Sequence, residues 1–70
     1  MDSLELIING ERVELPGNVK NVKELLEHLC LDQKIAIVEL NQDILEKSHH
    51  GETRLSDGDR VEIVHFVGGG

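Results

Sequence analysis

This 70-residue chain has no tryptophan, no tyrosine and a single phenylalanine. A core without large rings has to be built from Leu, Ile and Val. One cysteine, Cys30, rules out an internal disulfide. With four histidines it makes none of the spacings, such as C-x-x-C, that hold structural zinc. Basic residues are scarce: seven Lys and Arg against fourteen Asp and Glu give a net charge of −7. That balance argues against nucleic acid, whose phosphates demand cations, and against anionic membrane surfaces. No apolar run approaches the ~20 residues of a membrane span. The opening "MDSLELIING" is acidic and then alternating, unlike a signal peptide, so a cytoplasmic location is expected. Repeats and linkers are also missing. What remains is one small domain near the lower size limit for unaided folding.

Periodicity supplies the elements. In "LELIINGERVEL", Leu4, Leu6 and Ile8 alternate up to Asn9-Gly10, and Val13 and Leu15 alternate after it. Asn-Gly is the preferred pair for a type I′ turn, so this stretch predicts a β-hairpin. Pro16-Gly17 closes the second strand. In "NVKELLEHLCL", Val22, Leu25, Leu26 and Leu29 share one helical face. Asn21 followed by Glu24 resembles a capping box, which predicts a helix from about Val22 to Cys30. "KIAIVELN" predicts a central strand with Ala36, Val38 and Leu40 inward and Ile35 and Ile37 outward. A short strand is expected around Asp43 to Glu46, a turn at Ser56 to Asp59, and a last strand over Val61 to Val67. The expected core is Leu6, Ile8, Val13, Leu25, Leu29, Val38, Val61 and Ile63.

The order β-β-α-β-β-β is that of an α+β layer pair. A β-grasp arrangement fits it, with one helix across a mixed sheet of four to five strands and the first and last strands parallel at the centre. Period two then turns Ile7, Ile35, Ile37, Val64 and Phe66 outward together. Two readings of that face stand: an apolar partner surface, or a bland one in which the strands have the opposite phase or a loop covers the face.

Residues with chemistry to offer are few. Cys30 reads as a small buried hydrophobe at the helix end. His49 and His50 read as a solvated loop pair, and His65 as a half-buried strand residue. No Gly-rich loop precedes the helix, and no catalytic constellation is present. The remaining feature is the ending "VHFVGGG". Three glycines form a thread without Cβ atoms, able to enter a narrow channel. The terminal carboxylate of Gly70 becomes an electrophile once a partner using ATP converts it to an acyl-adenylate. The expected organisation is a folded domain over residues 1–67 and a flexible glycine tail over residues 68–70.

The "NG" hairpin, "VKELLEHL", "IAIVELN" and above all "DGDRVEIVHFVGGG" resemble the small sulfur carrier proteins of thiamine biosynthesis, the ThiS family, along the whole chain. The resemblance implies the ubiquitin-like β-grasp fold and a carrier rather than an enzyme. It implies that an E1-like adenylyltransferase, using ATP and Mg, activates Gly70, so that no cofactor is bound by the carrier itself. It further implies that a sulfur-donor desulfurase system converts Gly70 to a thiocarboxylate, and that thiazole synthase takes the sulfur. Gly69 and Gly70 match the family's terminal pair; Gly68 makes the tail one glycine longer. Ile7, Val64 and Phe66 are the candidate partner contacts. The alternatives are the small subunit of molybdopterin synthase, and a ubiquitin-like binding or conjugation module. A lysine-linked product would mark conjugation, and a free thiocarboxylate would mark carriage.

Overall fold

A computed structural model of the chain describes residues 3–32 and 35–65. The elements are β1 (Ser3–Ile8), β2 (Glu11–Pro16), α1 (Val22–His28), β3 (Ala36–Leu40), β4 (Asp43–Leu45), a 3₁₀ turn over Lys47–His49, and β5 (Arg60–His65). The sheet runs β2-β1-β5-β3-β4. β1 and β5 pair in parallel at its centre, and the other pairs are antiparallel. This is the expected β-grasp order. Among the described residues no helix is long and apolar enough to cross a membrane.

The first hairpin has a two-residue loop, with Ile8 opposite Glu11. Asn9 and Gly10 both take positive φ, 50° and 84°, as a type I′ turn requires. A second turn of the same kind joins β3 to β4, with Leu40 opposite Asp43. There Asn41 has φ 49° and Gln42 has φ 76°. Gln42 therefore holds a conformation that favours glycine.

α1 begins at Asn21, whose side-chain oxygen accepts from the Glu24 N–H at 2.8 Å. Glu24 reaches back one residue further than a capping box does, accepting from the Lys20 N–H at 2.8 Å. The helix ends at His28, earlier than the period suggests. Its last turn is closed by Leu31 N–H to the Leu26 carbonyl and Cys30 N–H to the Glu27 carbonyl. This is a Schellman motif, with Cys30 in the left-handed position at φ 61°. The chain must swing through that conformation to bring Leu31 back over Leu26. Cys30 is consequently exposed, not the buried hydrophobe expected from its neighbours.

The core lies between α1 and the sheet. Leu6, Leu15, Val19, Val22, Leu25, Leu26, Val38, Val61 and Ile63 are buried. Ile8, Val13 and Leu29, expected among them, sit at the edge, half-buried against that cluster. Val19 belongs to the connection before α1, where no period announces it.

We predict that Leu25→Ala costs about 2–5 kcal/mol, as buried Leu→Ala changes do, and that Leu29→Ala costs clearly less. Thermal melts that fall equally would contradict this packing. Gln42→Gly and Cys30→Gly should each raise stability, by up to about 1 kcal/mol, because each relieves a left-handed side chain. Chemical denaturation would show a lowered midpoint if these turns were built differently.

Candidate functional site

Phe66, Gly68, Gly69 and Gly70 lie outside the described residues. The structure instead defines the platform that leads to them. β5 is gripped along both edges. On one side Glu62 stands opposite Glu39 and Val64 opposite Ile37. On the other, Ile7 N–H donates to the Asp59 carbonyl and Asn9 N–H to the Val61 carbonyl, both at 2.9 Å.

The strand's entry is set by the turn over Ser56–Asp59. The Asp59 carboxylate accepts from the Ser56 N–H at 2.8 Å, and Gly58 takes φ 86°. Asp57 accepts from the Glu5 N–H at 2.7 Å, which ties this turn to β1. Asn41 holds the same point from the other edge, accepting from the Arg60 N–H at 3.0 Å.

The sheet face away from α1 carries the outward residues. Ile35, Ile37 and Val64 are 74%, 44% and 56% exposed. Ile44, 70% exposed, joins them on that face because it stands opposite Glu39. Nothing in its three-residue strand had marked it. Ile7 is half-buried and pairs with Arg12 and Arg60. Since Arg60 and Val64 are four residues apart on β5, Ile7 lies roughly 13 Å along the strand direction from Val64. The apolar surface thus gathers around Val64, Ile37 and Ile44, while Ile7 sits among arginines. Between them Glu39 and Glu62 stand directly opposite each other. Like charges in that relation are unfavourable.

The histidines part company. His49 is exposed, but His50 is 5% exposed and not the solvated loop residue expected. The cause is helix capping. The first N–H groups of a helix need acceptors from outside it. Val22 N–H finds the Thr53 carbonyl and Lys23 N–H the His50 carbonyl, both at 3.1 Å. The loop is drawn against α1, and the His50 ring goes beneath it. The ring hydrogen-bonds the Leu45 backbone, while Nε2 has no partner among the described residues. Burial pushes the His50 pKa below its ordinary 6.5; the Leu45 bond opposes this and Lys47 adds to it. His65, expected half-buried, is exposed at the end of the sheet opposite Ala36.

The hollow beside His50 is lined by Lys23, Glu27, Asp32 and Lys47 among others, so both signs of charge meet there. Among the described residues no group of three or more His, Cys, Asp or Glu gathers as a metal site.

We predict a pH signature from His50. The unfolded chain takes up this proton near 6.5 while the folded one resists it. Its stabilising effect is complete above that pH and is lost as pH falls toward the lower folded value. His50→Gln should remove this part of the slope when the two melting curves are subtracted. An unchanged slope between pH 7 and 5 would place the ring in water.

Comparison with known proteins gives a consistent result. The ThiS family model matches residues 6–70. The sulfur carrier protein ThiS of Bacillus subtilis (strain 168) is 43% identical over 65 residues, covering 93% of this chain and 98% of that protein. A thiazole synthase of Paramagnetospirillum magneticum is 39% identical over 67 residues, which are 96% of this chain but 20% of the synthase. The crystal structure of a thiamine biosynthesis protein (ThiS) from Geobacter metallireducens superposes with TM-score 0.79 at 39% identity, covering 96% of this chain and all of that one.

Proposed function

This chain belongs to the ThiS family and is a sulfur carrier of thiamine biosynthesis; we propose that the sulfur rides on the terminal carboxylate of Gly70. The observation that carries the reading is the family match running from β1 through Gly70, over a chain of the carrier's own length. It favours the thiamine carriers over the molybdopterin synthase subunit and over a plain binding module.

In this reading an E1-like partner, using ATP and Mg, adenylates Gly70. Pyrophosphate leaves in that step; sulfur delivered at the sulfide level then attacks the acyl carbon, the bond to AMP breaks, and a thiocarboxylate remains. Gly68, Gly69 and Gly70 have no Cβ, so the thread can enter a channel that any side chain would block. The acid-base groups of the reaction belong to the partners, and this chain supplies a docking surface and an acceptor. Thiazole synthase is the receiving partner. Its pairing with this chain is supported by the synthase whose own sequence includes a stretch like the whole carrier.

The docking surface is the open sheet face. Val64 and Ile37 are exposed neighbours on it, and Val64 lies one residue before His65, where the described part of β5 ends. Ile7 and Phe66 are further contacts in the proposal. The −7 charge and the opposed Glu39 and Glu62 suit a partner surface carrying cations around an apolar centre.

The test is intact mass after incubation with ATP, Mg, the activating partner and a sulfur donor. One oxygen should be exchanged for sulfur, localised to Gly70 by fragmentation. An unchanged mass with a demonstrably active partner would end the carrier reading, and a lysine-linked adduct would point to conjugation. Val64→Asp should leave the melt unchanged, because the side chain is exposed, and should weaken partner binding about tenfold or more. Normal binding by that variant would remove the face from the interface.

A further inference from the structure

The amide of Asn9 does more than tolerate a tight turn. Along β5, backbone groups alternate between the two edges. Those of Asp59 and Val61 meet β1, while Glu62 and Val64 stand opposite Glu39 and Ile37 of β3. β1 itself stops at Ile8, because the chain turns away at Asn9-Gly10. The side chain of Asn9 then takes the place of the missing peptide. Its Oδ1 accepts from the Ile63 N–H at 2.8 Å and its Nδ2 donates to the Ile63 carbonyl at 3.1 Å. One carboxamide thereby adds one rung to the parallel ladder.

After that rung, among the described residues, nothing pairs with this edge of β5 at His65. By the same alternation the N–H and C=O of His65 point to the side that β1 has vacated. Among the described residues they have no partner there, and His65 is exposed. The sheet thus presents a clamped rung at Ile63 followed by an unpaired one at His65, five residues before Gly70. Open strand edges are templates for an added strand. A strand added there reads backbone alone, so it can steer a run that ends in glycines without needing side chains to grip.

We propose that an extended segment of thiazole synthase adds to β5 at His65, continuing the rung that Asn9 closes. The occupant follows from the function proposed above, on which this inference rests, and from the synthase that contains a carrier-like stretch in its own chain. Asn9 is then a positioning residue. It fixes where the built-in sheet ends and where the partner's strand begins.

The experiment uses the full chain and separately purified thiazole synthase. His65→Pro removes the outward N–H and spares the ladder to β3, whereas His65→Ala removes the side chain and keeps the donor. The Ala variant should bind the synthase within about twofold of the original chain, and the Pro variant about tenfold more weakly or worse. Hydrogen exchange of the His65 amide, followed by NMR in the unsubstituted protein, should be fast in the free carrier and at least about tenfold slower in the complex. Equal binding by the Pro variant, or an amide that exchanges as fast in the complex as alone, overturns strand addition. If Pro disturbs the fold, the exchange measurement decides by itself. Sulfur loading of Gly70, read by mass, separates the two levels. A chain that loads sulfur yet leaves His65 unprotected refutes only the added strand, and a chain that never loads refutes the carrier reading beneath it.

Discussion

The structure depends on β5 being held from both sides. It is the last strand of the described residues and the middle one in the sheet. An isolated strand of six residues has no stability of its own; here two neighbours and a helix fix it. Its inward residues, Val61 and Ile63, are among the most buried in the protein. Two asparagines anchor it at successive points. Asn41 takes the Arg60 N–H from the β3 side, and Asn9 brackets Ile63 from the β1 side. Both sit in left-handed turn positions, where the short amide side chain is free to reach sideways onto a neighbouring backbone. The turns and the central strand are therefore one construction.

Much of this was legible because simple periods carry it. Asn9-Gly10 between alternating runs named its own turn type, and the i, i+3, i+4 spacing of Val22, Leu25 and Leu26 named the buried helix face. The outward phase of Ile35, Ile37 and Val64 followed from period two, and the exposures agree with it. The departures share a cause. Cys30 and His50 are placed by where backbone hydrogen bonds must go, not by side-chain pattern. A Schellman reversal swings Cys30 out, and the capping needs of α1 pull His50 in. The Asn41-Gln42 turn lacks the glycine that would have announced it. The ending of the chain shows the reverse case. Its glycines take their chemical meaning from composition and resemblance alone, and they lie outside the described residues.

Carrier and scaffold divide the work in an uneven way. Among the described residues no group of three or more His, Cys, Asp or Glu gathers as a metal site, and the hollow beside His50 mixes both signs of charge. The described residues offer a sheet face on which aliphatic side chains and carboxylates lie side by side. The directly opposed Glu39 and Glu62 would be a poor choice for stability alone. The sheet bears that cost on the same face that exposes Val64 and Ile37.

The parallel pairing of β1 with β5 joins residues near 7 to residues near 60. Such distant partners close late, since the intervening chain must first surrender its loop entropy. During synthesis the hairpin and helix emerge first, but the gap between β1 and β3 stays empty until residues 60–65 arrive. A nascent chain arrested short of Arg60 would have no middle to its sheet and would offer raw strand edges to the cell's proteases and chaperones. The apolar face around Val64, Ile37 and Ile44 exists only once β5 is in place, so a chain that stops short of Arg60 lacks that surface.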